Sequence, residues 1–129
     1  MKLKVSFCVA ILLLAASARA ELTKEEAQKM LNKSGCAACH NIDTDKIGPA
    51  YKSVAEFYKT PSDTTKAFLK GEAPIDYLMK KIRAGTKSDN RHWTKSKDGK
   101  KSYGAMPPNT SARINDADLK SLLQFILSQ

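Results

Sequence analysis

The 129-residue sequence lacks long apolar runs and shows no run of alternating apolar and polar residues. Its one apolar stretch, Val5 to Ala16, is about twelve residues long. A membrane-spanning helix needs about twenty. The missing alternation argues against a sheet with one buried face. Internal repeats and domain linkers are also absent, so the length favours a single domain. The sequence therefore predicts one all-α domain.

Residues 1–20 have the pattern of an export signal. Lys2 and Lys4 form a charged start, the apolar stretch follows, and Ala18-Arg19-Ala20 matches a small-residue cleavage site. An uncleaved anchor is the alternative, and it would require so short a stretch to tilt or to thin the membrane. We expect cleavage near Ala20, export to the periplasm, and a mature domain of residues 21–129 with no membrane span.

Cysteine is scarce, and this limits the chemistry. Cys8 leaves with the export signal, so only Cys36 and Cys39 remain. In an oxidising compartment such a pair forms a disulfide or holds a metal or a haem. A zinc site needs a fourth ligand, for which only His92 or a carboxylate is available. A thiol–disulfide protein would place its C-x-x-C in a βαβ pattern, which this sequence does not show.

Cys36-Ala37-Ala38-Cys39-His40 matches the attachment signature of c-type haem. Two thiols separated by two residues can each form a thioether to one vinyl group of the porphyrin. The histidine that follows can bind the iron from the proximal side. A haem also adds apolar surface, which helps a chain of this size because small domains bury limited apolar area.

Apolar residues recur with helical spacing in several segments. A capping box of Thr23 and Glu26 begins the first helix, and Asn115 caps the last. Thr60 and Pro61 predict an N-cap and first turn for a short helix that runs through Leu69. A long polar stretch over residues 85–114 predicts a functional loop. The predicted apolar faces are Ala27, Met30 and Leu31; Tyr51, Val54, Ala55 and Tyr58; Ile75, Leu78, Met79 and Ile82; and Leu119, Leu122, Leu123 and Ile126.

Four motifs stand in an order that resembles the class I (monohaem) cytochrome c family, short bacterial periplasmic type. The resemblance implies an all-α fold of about four to five helices around one covalently bound haem c. It also implies an electron-transfer protein rather than an enzyme. Residues 60–74 and 87–102 are longer than in the smallest members. The motifs are Gly35–His40, Ile47–Tyr51, Ile82–Gly85 and Tyr103–Asn109.

The resemblance assigns the haem thioethers to Cys36 and Cys39 and the axial iron ligands to His40 and Met106. Met106 lies in a proline-fixed loop, which presents its thioether rigidly. His92 is the rival sixth ligand, since imidazole binds iron more strongly. The other methionines of the mature chain, Met30 and Met79, lie on apolar helical faces and are interpreted as core residues.

Three further residues are expected in the haem pocket. The resemblance gives the carbonyl of Pro49 the role of accepting the second ring N–H of His40, which fixes the imidazole. Trp93 and Tyr103 carry an N–H and an O–H group, and haem propionates are suitable acceptors for hydrogen bonds from them. Simple packing of the loop is the alternative for Trp93.

Positive charge is concentrated in one part of the chain. Removing Lys2, Lys4 and Arg19 from the 22 basic residues leaves 19 against 13 acidic ones, a formal charge of +6 for the mature chain. Nine basic residues lie from Lys80 to Lys101, against two acidic ones. Such a cluster can steer an acidic partner, although a merely solvated loop is the alternative.

We therefore expect a monomeric periplasmic carrier of single electrons between redox protein partners. An electron-transfer subunit permanently bound to a dehydrogenase or reductase is the alternative. A nucleic-acid partner is not expected, because the chain is exported and lacks a binding motif.

Overall fold

A computed structural model describes residues 20–60, 62–87 and 93–129. Within these ranges the fold is helical, and no β-strand forms beyond one isolated antiparallel bridge between Lys95 and Ser102. The five α-helices are α1 (Lys24–Ser34), α2 (Tyr51–Lys59), α3 (Asp63–Leu69), α4 (Pro74–Ala84) and α5 (Asp116–Leu127), and a short 3-10 turn, Cys36–Ala38, follows α1. The predicted all-α fold is confirmed.

Helix α1 begins as the sequence predicts. The Thr23 hydroxyl accepts a hydrogen bond from the backbone N–H of Glu26 (3.2 Å), and the Glu26 carboxylate accepts one from the N–H of Thr23 (2.9 Å). This capping box satisfies two backbone donors that the helix cannot satisfy itself. Gly35 ends the helix with a φ of 81°, a left-handed conformation that favours glycine.

The start of α3 differs from the prediction. The N-cap is Ser62 rather than Thr60, and its hydroxyl accepts from the N–H of Thr65 (3.2 Å). Pro61 lies outside the described residues. The structure favours Ser62 because a hydroxyl there reaches an otherwise unsatisfied donor, and Asp63 then places negative charge in the first turn.

Helix α5 contributes several of the most deeply buried side chains of the core. Leu119, Leu122 and Leu123 are at most 2% exposed and belong to the same core cluster as Leu31 of α1. Helix α5 packs against α1, α2 and α4. The N-cap is Asn115, whose side chain accepts from the N–H of Asp118 (2.8 Å), as predicted. The connections between the packed helices form part of the wall of a cleft.

The long polar segment is a loop in its described part, as the sequence predicts. Residues 94–103 fold back on themselves through backbone hydrogen bonds from Ser96 N–H to Lys101 O (2.8 Å) and from Tyr103 N–H to Thr94 O (2.9 Å). This turn was not predicted from the sequence. No helix among the described residues is long and apolar enough to cross a membrane.

Candidate haem site

A largely apolar cleft runs between the helices and the loops. Both cysteines, His40, Met106 and the three further predicted pocket residues all line it. The sequence places these residues up to 70 positions apart, and the fold brings them to one cavity. Apolar side chains of α2, α4 and α5 line the cleft as well: Tyr51, Val54, Tyr58, Leu78, Ile82, Leu119, Leu122, Leu123 and Ile126.

The cysteines lie in the 3-10 turn and at its end. The backbone N–H groups of Cys39 and His40 both donate to the carbonyl of Cys36, at 3.1 and 3.0 Å. Both cysteines are free and partly buried. The tight turn therefore places two thiols and the following imidazole within one short segment of the cleft wall.

The sulfur of Cys36 has polar neighbours. The Ser34 hydroxyl donates to it at 3.1 Å, and the Asn109 amide lies 3.6 Å from it. Asn109 also donates to the carbonyl of Ser34 (3.1 Å), so it ties the loop after Met106 to the end of α1. These contacts fix the first cysteine relative to the loop that carries Met106.

His40 is oriented by the backbone of the next segment. Its Nδ1–H donates to the carbonyl of Pro49 over 2.8 Å. A carbonyl can only accept, so Nδ1 carries the proton and Nε2 keeps its lone pair. Burial lowers the pKa of His40, which favours the neutral imidazole at neutral pH. Nε2 is thus left available as a ligand, and the Pro49 carbonyl makes the contact that the family resemblance implies.

Gly48 gives His40 the space that it occupies. A Cβ at Gly48 would lie 2.5 Å from Cε1 of the imidazole, which is too close for any side chain. On another side, the Tyr51 ring stacks on the imidazole, with centroids 5.1 Å apart and planes 16° apart. The sequence placed Tyr51 on an apolar helical face and in the motif Ile47–Tyr51, but it did not predict the stacking, because the partner ring comes from a different segment.

Met106 is held by its backbone. Its N–H donates to the hydroxyl of Thr86 (2.9 Å), and its carbonyl accepts from the N–H of Thr86 (2.8 Å). Met30 and Met79 pack instead against the helical core, as predicted, and neither is among the described residues that line the cleft. The rival ligand His92 lies outside the described residues.

The two aromatic pocket residues have protein contacts of their own. Trp93 packs edge-on against Phe57, with ring centroids 5.2 Å apart. Tyr103 is 5% exposed, and burial together with a hydrogen bond to Asp45 raises its pKa to about 12. Both side chains line the cleft. Their hydrogen bonds to haem propionates remain predictions.

The residues of the cleft fit a covalently held haem. Two free thiols follow the required spacing, a neutral imidazole presents Nε2, and a thioether lines the same cavity. The surrounding walls are mainly apolar, as a porphyrin needs. Two cations also line the cleft: Lys81, which the sequence placed only in the basic cluster from Lys80 to Lys101, and Arg113, which no sequence pattern indicated.

Comparison with known proteins agrees with this geometry. The family model for cytochrome c matches residues 24–129. The chain belongs to the cytochrome c family. It is a class I monohaem cytochrome c, which binds one haem c covalently and transfers electrons rather than catalysing a substrate reaction.

Individual relatives are small bacterial cytochromes c. The chain is 33% identical over 103 residues to cytochrome c-552 of Hydrogenobacter thermophilus, covering 78% of this chain and 79% of the relative. It is 31% identical over 98 residues to cytochrome c-551 of Allochromatium vinosum, covering 76% and 80%. The crystal structure of Nitrosomonas europaea cytochrome c552 superposes with a TM-score of 0.52 at 30% identity, covering 78% of this chain and 96% of that structure.

The close contact at Gly48 leads to a first prediction. Gly48→Ala should displace the His40 imidazole and lower the yield of covalent holoprotein, because the new Cβ cannot avoid the ring. The measurement is haem absorbance per mass of purified polypeptide. Gly104→Ala is the matched control, since its Cβ would meet only the side-chain carbon Cγ2 of Ile47, at 3.2 Å. Equal yields from both variants would contradict the prediction.

Proposed function

We propose that the chain is an exported carrier of single electrons in the periplasm. Cys36 and Cys39 hold the haem through thioethers, and His40 and Met106 are the axial iron ligands. The observation that carries the proposal is the convergence of these four side chains on one apolar cleft, with Nε2 of His40 left as the ligating nitrogen. The haem supplies the one-electron couple.

The protein's own residues orient the ligands and exclude water. Pro49 fixes the imidazole, and the apolar walls from α2, α4 and α5 lower the local polarity. Such a shell controls solvent access and the reduction potential of a metal site. Histidine–methionine ligation raises the reduction potential of the haem, and a higher potential makes the ferric form a better electron acceptor.

We also propose that residues 1–20 are a cleaved export signal and that the mature protein works as a monomer. The charged start, the apolar stretch and the Ala-x-Ala site support export. None of the relatives described above is named as a subunit of a larger complex. A free carrier is therefore a better proposal than a permanent subunit of a dehydrogenase or reductase.

An acidic redox protein is the proposed partner, and the described lysines next to the cleft support it. Residues 95–102 carry four lysines and lead directly into Tyr103 of the cleft wall. Lys101 reaches across to the carbonyl of Asp45 (2.6 Å), beside Lys46 and the exposed Ile47. Charges near such a site accelerate the association of a short-lived complex.

The thioether assignment predicts a covalent mass increase. Protein made with a cytochrome c maturation system should keep one haem after extraction with acidified acetone, because thioethers resist that treatment. Mass spectrometry of the extracted polypeptide checks this. Cys36→Ser and Cys39→Ser should each leave a single thioether and lower the yield of holoprotein. Haem recovered in the acetone from the wild type would refute the assignment.

The Met106 assignment predicts a spectroscopic loss. The ferric wild type should show the weak charge-transfer band that a thioether ligand gives at the red end of the spectrum. Met106→Ala should abolish the band and lower the midpoint potential, while the fold is kept. Met30→Ala is the control, since Met30 packs against the core. A band that survives Met106→Ala, or that disappears only with His92→Ala, would show that the ligand is misassigned.

The partner proposal predicts a salt-dependent rate. Replacing Lys95, Lys97, Lys100 and Lys101 together by Glu should slow electron transfer with the native partner several-fold, with little change in potential. The bimolecular rate measured against ionic strength checks this, because screening acts over about 8 Å at physiological salt.

The control carries the same change of charge at exposed positions on α1, α3 and α5. Its substitutions to Glu are at Lys24, Lys29, Lys66 and Lys120. An equal slowing in both variants would mean that net charge matters and the position does not. A wild-type rate that is independent of salt would contradict the partner proposal, and residues 95–102 would then be interpreted as a solvated loop.

A further inference from the structure

The loop that carries Met106 rests on the C-terminal end of α4 without a gap. A Cβ at Gly85 would lie 2.7 Å from the carbonyl oxygen of Met106 and 2.8 Å from the nitrogen of Pro108. Gly85 also has a φ of 72°, a conformation that disfavours other residues. The end of this helix is therefore shaped to let the loop backbone approach it closely.

The loop has few backbone hydrogen-bond donors after Met106. Pro107 and Pro108 have no N–H groups, so two consecutive positions can donate no hydrogen bond. Met106 instead forms both of its backbone hydrogen bonds with one residue, Thr86. The Met106 N–H donates to the threonine hydroxyl (2.9 Å), and its carbonyl accepts from the threonine N–H (2.8 Å).

The far end of the loop is bound to the same helix. Asn109 N–H donates to the carbonyl of Ile82 (2.9 Å), and the Arg83 guanidinium donates to the carbonyls of Asn109 (3.0 Å) and Ile114 (2.8 Å). Asp116, at the start of α5, accepts from the same guanidinium at 2.6 Å. The planar donor fork of arginine suits this multiple contact. Residues 82–86 thus hold both ends of the loop.

We propose that Thr86 is a positioning residue for Met106, and that its hydroxyl keeps the thioether on the haem iron. The inference rests on the proposed axial role of Met106. Thioether sulfur is a weak ligand. The fraction of molecules in which it binds the iron therefore depends on the entropy lost when the loop is ordered, and this cost is smaller when the loop is already fixed in the binding conformation. The Thr86 hydroxyl removes such freedom at the ligating residue itself, and it does so from 20 positions away in the sequence.

Competition with an external ligand tests this inference. Cyanide binds ferric haem only when the thioether leaves, so its affinity reports how firmly Met106 is held. Thr86→Val removes the hydroxyl and keeps the branched shape and the backbone N–H. The apparent cyanide affinity should rise about three- to tenfold, the range expected for one lost hydrogen bond. The red charge-transfer band should weaken at the same time.

Two variants separate the hydroxyl from other effects. Thr86→Ser keeps the acceptor and should restore the wild-type cyanide affinity. Thr23→Val makes the same chemical change at the N-cap of α1, where the hydroxyl also accepts a backbone N–H, and should leave that affinity unchanged. If the valine variant yields no holoprotein, Thr86→Ala serves in its place with the same expected result.

The outcomes distinguish this inference from the axial-ligand proposal. A wild-type ferric spectrum without the red band would overturn the role of Met106 and this inference with it. A normal band in the wild type, with equal cyanide affinity in the wild type and Thr86→Val, would overturn the role of Thr86 alone. An equal rise in the valine and serine variants would also overturn it, because the hydroxyl would then make no difference.

Discussion

The hydrogen bond from His40 Nδ1–H to the Pro49 carbonyl is the contact on which the site depends. It decides which ring nitrogen carries the proton, and therefore which nitrogen remains free to bind a metal. It also joins the turn that carries the cysteines to the residues that begin α2. Gly48 makes the approach possible, because any Cβ there would collide with the ring. One contact thus links the cysteine turn, the imidazole and the segment that leads into α2.

The residues that line the site lie largely at the ends of the helices and in the connections between them. The faces of α1, α2 and α4 pack against α5, while the site is built from the residues that follow or precede them. The cysteine turn follows α1, Pro49 precedes α2, and Thr86 follows α4. Helix ends carry backbone groups without intrahelical partners, and loops placed there can be fixed by hydrogen bonds. A packed core therefore sets the positions of the cysteine turn, His40 and Met106 through short connections.

The sequence predicts the parts of this structure that depend on near neighbours. Helical spacing, the capping box of Thr23 and the cap at Asn115 are local signals, and each is confirmed. The error at the start of α3 is also local, because Thr60 and Ser62 are both good caps and only the folded backbone selects Ser62. The grouping of His40 with Met106 in one cleft followed from the family motifs rather than from any local pattern.

Long-range polar contacts could not be predicted in the same way. Thr86 carries no signal for a partner 20 residues later, since threonine at a helix end is ordinary. Arg83 was counted only as part of a basic cluster, yet the fold directs its guanidinium onto the carbonyls of Asn109 and Ile114. Such pairings require the relative placement of α4 and α5, which follows from packing of the whole core. They are also the contacts that connect the core to the loop that carries Met106.

The same folding changes how the basic cluster should be understood. Arg83 is tied to Asp116 and to loop carbonyls, and Lys80 and Lys97 lie beside Glu72 and Glu56. Exposed pairs of this kind add little stability. Their carboxylates nevertheless bring negative charge to the same surface and weaken the field that the sequence count implies. Within residues 95–102, Lys97 also lies beside Glu56 and Lys100 beside Asp98. The proposed steering effect should therefore depend on the position of these lysines next to Tyr103 of the cleft wall, rather than on the number of basic residues in the cluster.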